Sequence, residues 1–225
     1  MPLNLSQIQL ICFDIDGTLA DTDNVIVDHF AKRILFIKNF FPSVDIPSLA
    51  RKIIMAVESP GNAFLYQLDR FGIDEWIHKI QKRLSPSGMT NLPFFTLIPG
   101  ADETIKHLSN KYPIAILSAR DEQSTRSFIQ QMGFSDLIRI YASSETCPHT
   151  KPYPDPLLWI SRQLEIDPKN ILLVGDTTVD ILTGKRAGAQ TVGVLSGFGE
   201  LAELVAAGAD LILNDINMLA HILLL

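Results

Sequence analysis

Two aspartates separated by one residue, Asp14-Ile15-Asp16, are followed directly by Gly17 and Thr18. They close an apolar run, Ile8 to Phe13, that reads as a buried strand ending at a glycine turn. In an open α/β sheet, ligands bind beyond the carboxyl ends of the strands. Both carboxylates therefore fall where chemistry is done. The one-residue gap lets them project differently from a tight turn, and Gly17 permits the bend. Such a pair can divide labour, one carboxylate attacking phosphorus and the other protonating the leaving oxygen. Aspartate is also a common turn former; a lone Asp-x-Asp-Gly favours that reading, and the place after a buried strand brings the two level.

A second acidic cluster follows a later apolar run. Ile171 to Val174 ends in Gly175-Asp176-Thr177-Thr178-Val179-Asp180. Carboxylates at neighbouring strand ends suit Mg²⁺, which takes oxygen ligands and keeps several waters. Such an ion offsets repulsion between the carboxylates and an incoming phosphate. Asp176 or Thr177 can instead cap the next helix, a common use that does not exclude metal binding. On the phosphate side, Ile114 to Leu117 ends in Ser118-Ala119-Arg120, where a hydroxyl and backbone N–H groups suit phosphate oxygens. Alone this signal is weak, because serine at such a turn more often caps the helix. Lys151-Pro152 lies in a proline-rich loop, His149 to Pro156. A lysine held there can neutralise a nucleophile and a phosphoryl group together, although a lone lysine is more often solvated.

The elements that must position these residues alternate. Strand-like runs occur at Ile114 to Leu117, Ile138 to Tyr141, Ile171 to Val174, Thr191 to Val194 and Leu211 to Leu213. Between them lie helix-like segments: Ala101 to Asn110, Asp121 to Met132 before Gly133, a helix opened by Asp155 as N-cap and Pro156 as N1, and Thr177 to Ala187 before Gly188. Alternation of this kind implies a parallel sheet with helices on both faces. The exception is the stretch of about a hundred residues after the first strand, far longer than one crossover needs. It carries helical periodicity at Val25 to Phe41, from Pro47 through Val57, at Ala63 to Phe71, and from Trp76 to Leu84. This predicts a helical bundle over 20–97, inserted into a core of 1–19 and 98–225, with Pro99-Gly100 as a turn and plausible hinge.

Composition agrees with a folded enzyme-sized chain. The 225 residues are 47% apolar and 20% charged, which is globular and not disordered. A net charge of -6 argues against a nucleic-acid partner. An anionic substrate then needs locally concentrated positive charge. No apolar stretch approaches the length of a membrane span, and the N-terminus lacks a signal-peptide pattern. The expectation is a cytoplasmic protein with no membrane partner. Cys12, inside the first strand, reads as a small buried hydrophobe, and two cysteines give no disulfide framework.

Taken in order, Asp14-x-Asp16-Gly17-Thr18-Leu19, Ser118, Lys151-Pro152 and Gly175-Asp176-x-x-x-Asp180 resemble the motifs of the haloacid dehalogenase superfamily. Gly184-Lys185-Arg186-Ala187-Gly188-Ala189 resembles the helix that follows the last motif in that family. The resemblance covers residues 8–19 and about 98–224. It implies a Rossmann-like, three-layer α/β core with an inserted all-helical cap. It implies Asp14 as nucleophile and Mg²⁺ ligand, and Asp16 as general acid and base and as a ligand through its carbonyl. Ser118 and the Ala119 N–H would hold phosphate, Lys151 would stabilise charge, and Asp176 and Asp180 would ligate Mg²⁺. The implied activity is hydrolysis of a small phosphorylated metabolite through a phospho-aspartate, with phosphoglycolate the first guess.

One departure concerns the residue after Ser118, often Asn in the phosphoglycolate-phosphatase-like branch and here Ala119. Arg120 follows. It either faces the leaving group or a structural acid, or is a solvated first-turn residue. Other readings are a phosphomutase, which uses the same two aspartates, and a silent phosphate-binding or signalling protein. A dehalogenase needs neither Asp16 nor a metal. A receiver domain lacks both the long insert and Asp16. Oligomeric state stays open.

Overall fold

The computed structural model describes residues 3–22, 31–32, 34–39, 44–47, 49 and 95–224. The chain divides into two compact units, Met1–Thr22 with Pro93–Leu225, and Asp23–Leu92. The helices expected in the insert lie almost wholly outside the described residues, apart from a short 3₁₀ turn at Leu35–Asn39. The first unit carries Asp14, Asp16, Ser118, Lys151, Asp176 and Asp180.

Its centre is a six-stranded parallel sheet. The strands are β1 (Leu10–Phe13), β2 (Ile114–Leu117), β3 (Ile138–Ala142), β4 (Ile171–Gly175), β5 (Gln190–Val194) and β6 (Leu211–Leu213). Their spatial order is β3-β2-β1-β4-β5-β6. The chain winds outward from β1 in one direction to β3, then returns to β4 on the other side of β1. Connections therefore diverge at the β1–β4 pair, which opens a crevice at the carboxyl ends of those two strands.

The middle strands are apolar on both faces because helices cover both. The helices are α1 (Ala101–Ser109), α2 (Glu122–Gln131), α3 (Asp155–Leu164), α4 (Thr178–Ala187), α5 (Leu201–Ala207) and α6 (Asn217–Leu223). Side chains alternate across a strand. Ile11 and Phe13 of β1 join one core with Ile105 and Leu108 of α1, Phe128 of α2 and Leu219 of α6. Leu10 and Cys12 join another core with Leu157 and Ile160 of α3. Burying a side chain the size of Phe128 or Leu157 stabilises the fold by roughly 1.5–3 kcal/mol each. Phe128 also meets Phe95 and Phe134 edge-on, with centroids 5.3 and 6.1 Å away. It thereby fixes Phe95, near the second boundary of the insert.

The helix ends follow their sequence signals with one correction. Asp121 caps α2 by accepting from the Ser124 N–H at 2.7 Å. Gly133 and Gly188 lie past α2 and α4 with positive φ. Asp155 is not the N-cap of α3. It is the first helical residue, Pro154 occupies the cap, and the Asp155 carboxylate meets His149 at 3.2 Å instead. Three consecutive positions, Pro154-Asp155-Pro156, offered rival starts, and the one before Asp155 won. Helix α5 packs against α4 and β6, and α6 packs against α1.

Asp210 ties α4, β5 and β6 together. Its carboxylate accepts from the Lys185 ammonium of α4, from the Thr191 N–H at 2.9 Å and from the Thr191 hydroxyl at 3.1 Å. Burial alone raises the Asp210 carboxyl. Lys185 and the Thr191 donors outweigh that and hold it below the usual range. A carboxyl held low in the folded state stabilises the fold above its unfolded value, about 3.9, and that contribution is lost as pH falls through the lower folded value. Asp210→Asn is expected to lower the unfolding free energy by about 1–2 kcal/mol at neutral pH, measured by urea denaturation. The gap from wild type should shrink as pH drops below about 4. A gap that stays constant with pH would show that the carboxylate charge plays no part.

Candidate active site

The first aspartate is placed by the sheet. The Asp14 N–H donates to the Val174 carbonyl at 2.9 Å, continuing the β1–β4 ladder one step past β1. The chain then folds over Ile15, whose carbonyl accepts from the N–H groups of Leu19 at 2.8 Å and Ala20 at 2.7 Å. Ile15 itself is buried between the two aspartates and anchors the turn in the core. Gly17 has φ of 70°, and a side chain there would run into the Asp176 carboxylate. Glycine therefore serves the turn in two ways: it takes the left-handed conformation and lets Asp176 come close.

Lys151 joins the two acidic clusters. Its Nζ lies 2.7 Å from Asp14 Oδ1 and 2.7 Å from Asp180 Oδ1, and its side chain is 4% exposed. The peptide between Lys151 and Pro152 is cis. Burial disfavours the ammonium, but Asp14 and Asp180 more than compensate and hold its pKa above the ordinary lysine value. Asp14 shows the other side of the balance. Burial pushes it up to about 7, Lys151 opposes the rise, and Asp180 and Asp16 add to it. One buried cation is shared among several carboxylates, so the lysine stays charged while Asp14 remains under pressure to lose its charge.

Asp180 sits on the first turn of α4 and faces two ways. Oδ1 takes Lys151, and Oδ2 accepts from the Thr177 N–H at 3.1 Å and the Thr177 hydroxyl at 2.7 Å. Thr177 is the N-cap, so the helix start is held by the residue that also neutralises Lys151. Asp176, 2% exposed, accepts from the Phe198 N–H at 3.0 Å. Gly197 packs against the same carboxylate, with no room for a side chain.

One oxygen each from Asp14, Asp176 and Asp180 can gather within 4.8 Å of the others, all three residues buried. Three carboxylates against one ammonium leave a net negative cluster. All the donors are hard oxygens, which fits Mg²⁺ and does not suit a soft metal.

Ser118 and Arg120 lie at the end of β2, beside β1. The Ser118 hydroxyl is buried and accepts from the Arg120 N–H at 3.1 Å, and a hydroxyl that accepts still has its proton to donate. Ala119 between them is exposed. Arg120 is not a solvated first-turn residue. Its side chain is buried and pairs with an acid, and that acid is Asp16, with Nη2–Oδ1 at 2.6 Å and Nε–Oδ2 at 2.8 Å.

The structure thus gathers Asp14, Lys151, Asp176 and Asp180 in one cluster and links Asp16 to Arg120 beside it. Sequence reasoning missed Thr22, which donates to Asp16 Oδ1 at 2.5 Å. It also missed the loop Ser196-Gly197-Phe198-Gly199, where the Ser196 hydroxyl donates to the Gly17 carbonyl at 2.7 Å. A usable signal was present in that loop, a Gly-x-Gly directly after the apolar run of β5. Cys12 is fully buried and its thiol is pushed up by that burial, so it is an inert core residue.

A parallel α/β sheet whose neighbouring strand ends present carboxylates and a buried lysine fits the class of phosphate-handling or hydrolytic α/β enzymes. Residues 11–194 match the haloacid dehalogenase-like hydrolase family, and the chain belongs to it. It is similar to the phosphoglycolate phosphatase of Pasteurella multocida, 25% identical over 97% of this chain and 100% of that one. It is also similar to the pyrophosphatase PpaX of Oceanobacillus iheyensis, 25% identical over 93% and 94%. A haloacid dehalogenase-like hydrolase from Streptococcus pneumoniae superposes with a TM-score of 0.66, at 24% identity over 96% of this chain and 99% of that one. Among the described residues no helix is long and apolar enough to cross a membrane.

Removing the shared cation should expose how much charge it holds. Lys151→Met is expected to cost about 3–5 kcal/mol of unfolding free energy in metal-free buffer, because it leaves buried carboxylates unpaired. Adding Asp14→Asn to that variant should restore part of the loss by removing one of those charges. Urea unfolding of the three proteins decides the matter. A Lys151→Met cost below 1 kcal/mol, or no recovery in the double variant, would mean that the ion-pair balance has been misjudged.

Proposed function

We propose that this chain is a Mg²⁺-dependent phosphatase that acts on a small phosphorylated metabolite through a phospho-aspartate on Asp14. The observation that carries the proposal is the buried contact of Lys151 with both Asp14 and Asp180, next to Asp176, at the carboxyl ends of β1 and β4. A carboxylate nucleophile meeting an anionic phosphoryl group needs nearby positive charge, and this chain builds it in.

Each residue has a role in this reading. An Asp14 carboxylate oxygen attacks phosphorus, and the bond from phosphorus to the leaving oxygen breaks with its electron pair staying on that oxygen. Asp16 supplies the proton to that oxygen. Water then attacks phosphorus, Asp16 takes its proton, and the Asp14 carboxylate departs. Lys151 holds the Asp14 carboxylate in place, and the Ser118 hydroxyl with the Ala119 N–H takes the phosphoryl oxygens. Asp14, Asp176, Asp180 and the Asp16 carbonyl would hold Mg²⁺, which would supply Lewis-acid charge neutralisation. The insert of 23–92 serves as a cap that sets which leaving group is accepted.

Relatives named as phosphatases along nearly the whole chain support water, over a second sugar phosphate, as the acceptor. Phosphoglycolate is the first substrate to try, with pyrophosphate next, and sugar phosphates and nucleotides complete the screen.

The test is p-nitrophenyl phosphate hydrolysis with Mg²⁺ and with excess chelator, for wild type and Asp14→Asn. Turnover should require Mg²⁺ and fall at least about a thousandfold in the variant. Activity that survives Asp14→Asn in protein purified from a phosphatase-poor host would rule out this nucleophile.

A further inference from the structure

Arg120 is a costly residue to place where it is. Its side chain is 3% exposed. A buried guanidinium is tolerated only where its donors are matched. Here they are matched around one carboxylate. Nε donates to Asp16 Oδ2 at 2.8 Å and Nη2 to Asp16 Oδ1 at 2.6 Å, while Nη1 donates to the Ser124 hydroxyl at 3.0 Å. The opposite side is closed by the Phe95 ring, whose centroid lies 5.0 Å from Arg120 Cζ. Ser124 belongs to the first turn of α2, where Asp121 holds its N–H. The guanidinium is thus fixed by a helix and an aromatic ring before it meets Asp16.

Asp16, by contrast, is 34% exposed at its side chain and sits on a turn. Left alone, such a carboxylate samples several rotamers. The two parallel N–H···O bonds set the plane of its carboxylate as well as its position, which an ammonium cannot do. Thr22 adds a third donor to the carboxylate, at Oδ1, from just before the insert.

We propose that Arg120 is the positioning residue for the acid–base group of this enzyme, a fork that fixes the Asp16 carboxylate for proton transfer to the leaving group. The inference rests on the phosphatase reading above. Arg120 acts only through Asp16 and is too buried to meet a leaving group directly.

The test separates this role from a structural one by varying the leaving group. Nitrophenolate departs without a proton, whereas the alkoxide of an alkyl phosphate needs one. For p-nitrophenyl phosphate and glycerol phosphate, kcat/KM is measured for wild type, Arg120→Lys, Arg120→Met, Asp16→Asn and the Arg120→Met/Asp16→Asn double variant. Arg120→Met is expected to lower the alkyl phosphate rate by about a hundredfold and the nitrophenyl rate by less than about tenfold. Arg120→Lys keeps the charge and the buried stem but not the fork, so it should show the same split in weaker form and serves if the Met variant does not fold. Asp16→Asn should show the split in full, and the double variant should be no worse than Asp16→Asn alone.

Equal losses on both substrates, or additive losses in the double variant, would overturn the proposal. So would a split in Asp16→Asn that neither Arg120 variant shares, an outcome that leaves Asp16 as the acid. No split in Asp16→Asn would remove Asp16 from the acid role and take the Arg120 inference with it, while Mg²⁺-dependent loss in Asp14→Asn would still support the phosphatase.

Discussion

The Lys151 ammonium is the contact on which the rest of this site depends. It lies 2.7 Å from carboxylates on two different strand ends, Asp14 after β1 and Asp180 after β4. Without a cation, three buried carboxylates at one crevice would repel one another and resist burial. With it, the cluster can be held inside the fold and still carry surplus negative charge. That surplus makes the same pocket a fit for a hard cation. Proposed catalysis and fold stability therefore draw on one set of charges.

Asp14 and Asp16 are two residues apart yet have separate cations. Asp14 faces Lys151 inside the crevice, and Asp16 faces Arg120 toward β2 and α2. The intervening Ile15 is fully buried, and its carbonyl collects the N–H groups of the turn. An apolar residue between two aspartates thus acts as a pivot that sends them to different partners. This division keeps the proposed nucleophile and the proposed acid–base group on separate partners. A chain with net charge -6 in this way places one buried cation beside each of the two aspartates.

The sheet was legible in the sequence because its strands are short apolar runs bounded by turn residues, and all six runs appear as strands in the fold. The acidic clusters were legible because they sit directly at those strand ends. Lys151 and Arg120 were harder. Each read alone as a residue that is usually solvated, since a lysine or arginine shows nothing in sequence of partners that lie far along the chain. Lys151 meets residues 137 and 29 positions away, and Arg120 meets one 104 away. Ordered motifs supplied the Lys151 assignment where local pattern did not. For Arg120 the sequence offered only its closeness to Ser118, and the choice between leaving group and acid needed coordinates. The Asp155 cap failed for a local reason, competition between adjacent prolines.

The glycines show why such a motif resists change beyond its charged members. A side chain at Gly17 or at Gly197 would collide with the same Asp176 carboxylate from two directions. Gly17 follows β1 and Gly197 follows β5, so loops from both sides of β4 close around the residue at the end of β4. The Phe198 N–H then completes the enclosure with a hydrogen bond. Asp176 is thereby enclosed by the backbone of two loops. A carboxylate held in this way keeps its place when charges in the pocket change. The carboxylates bound to Lys151 can share that cation, while Asp176 stays where the two loops hold it.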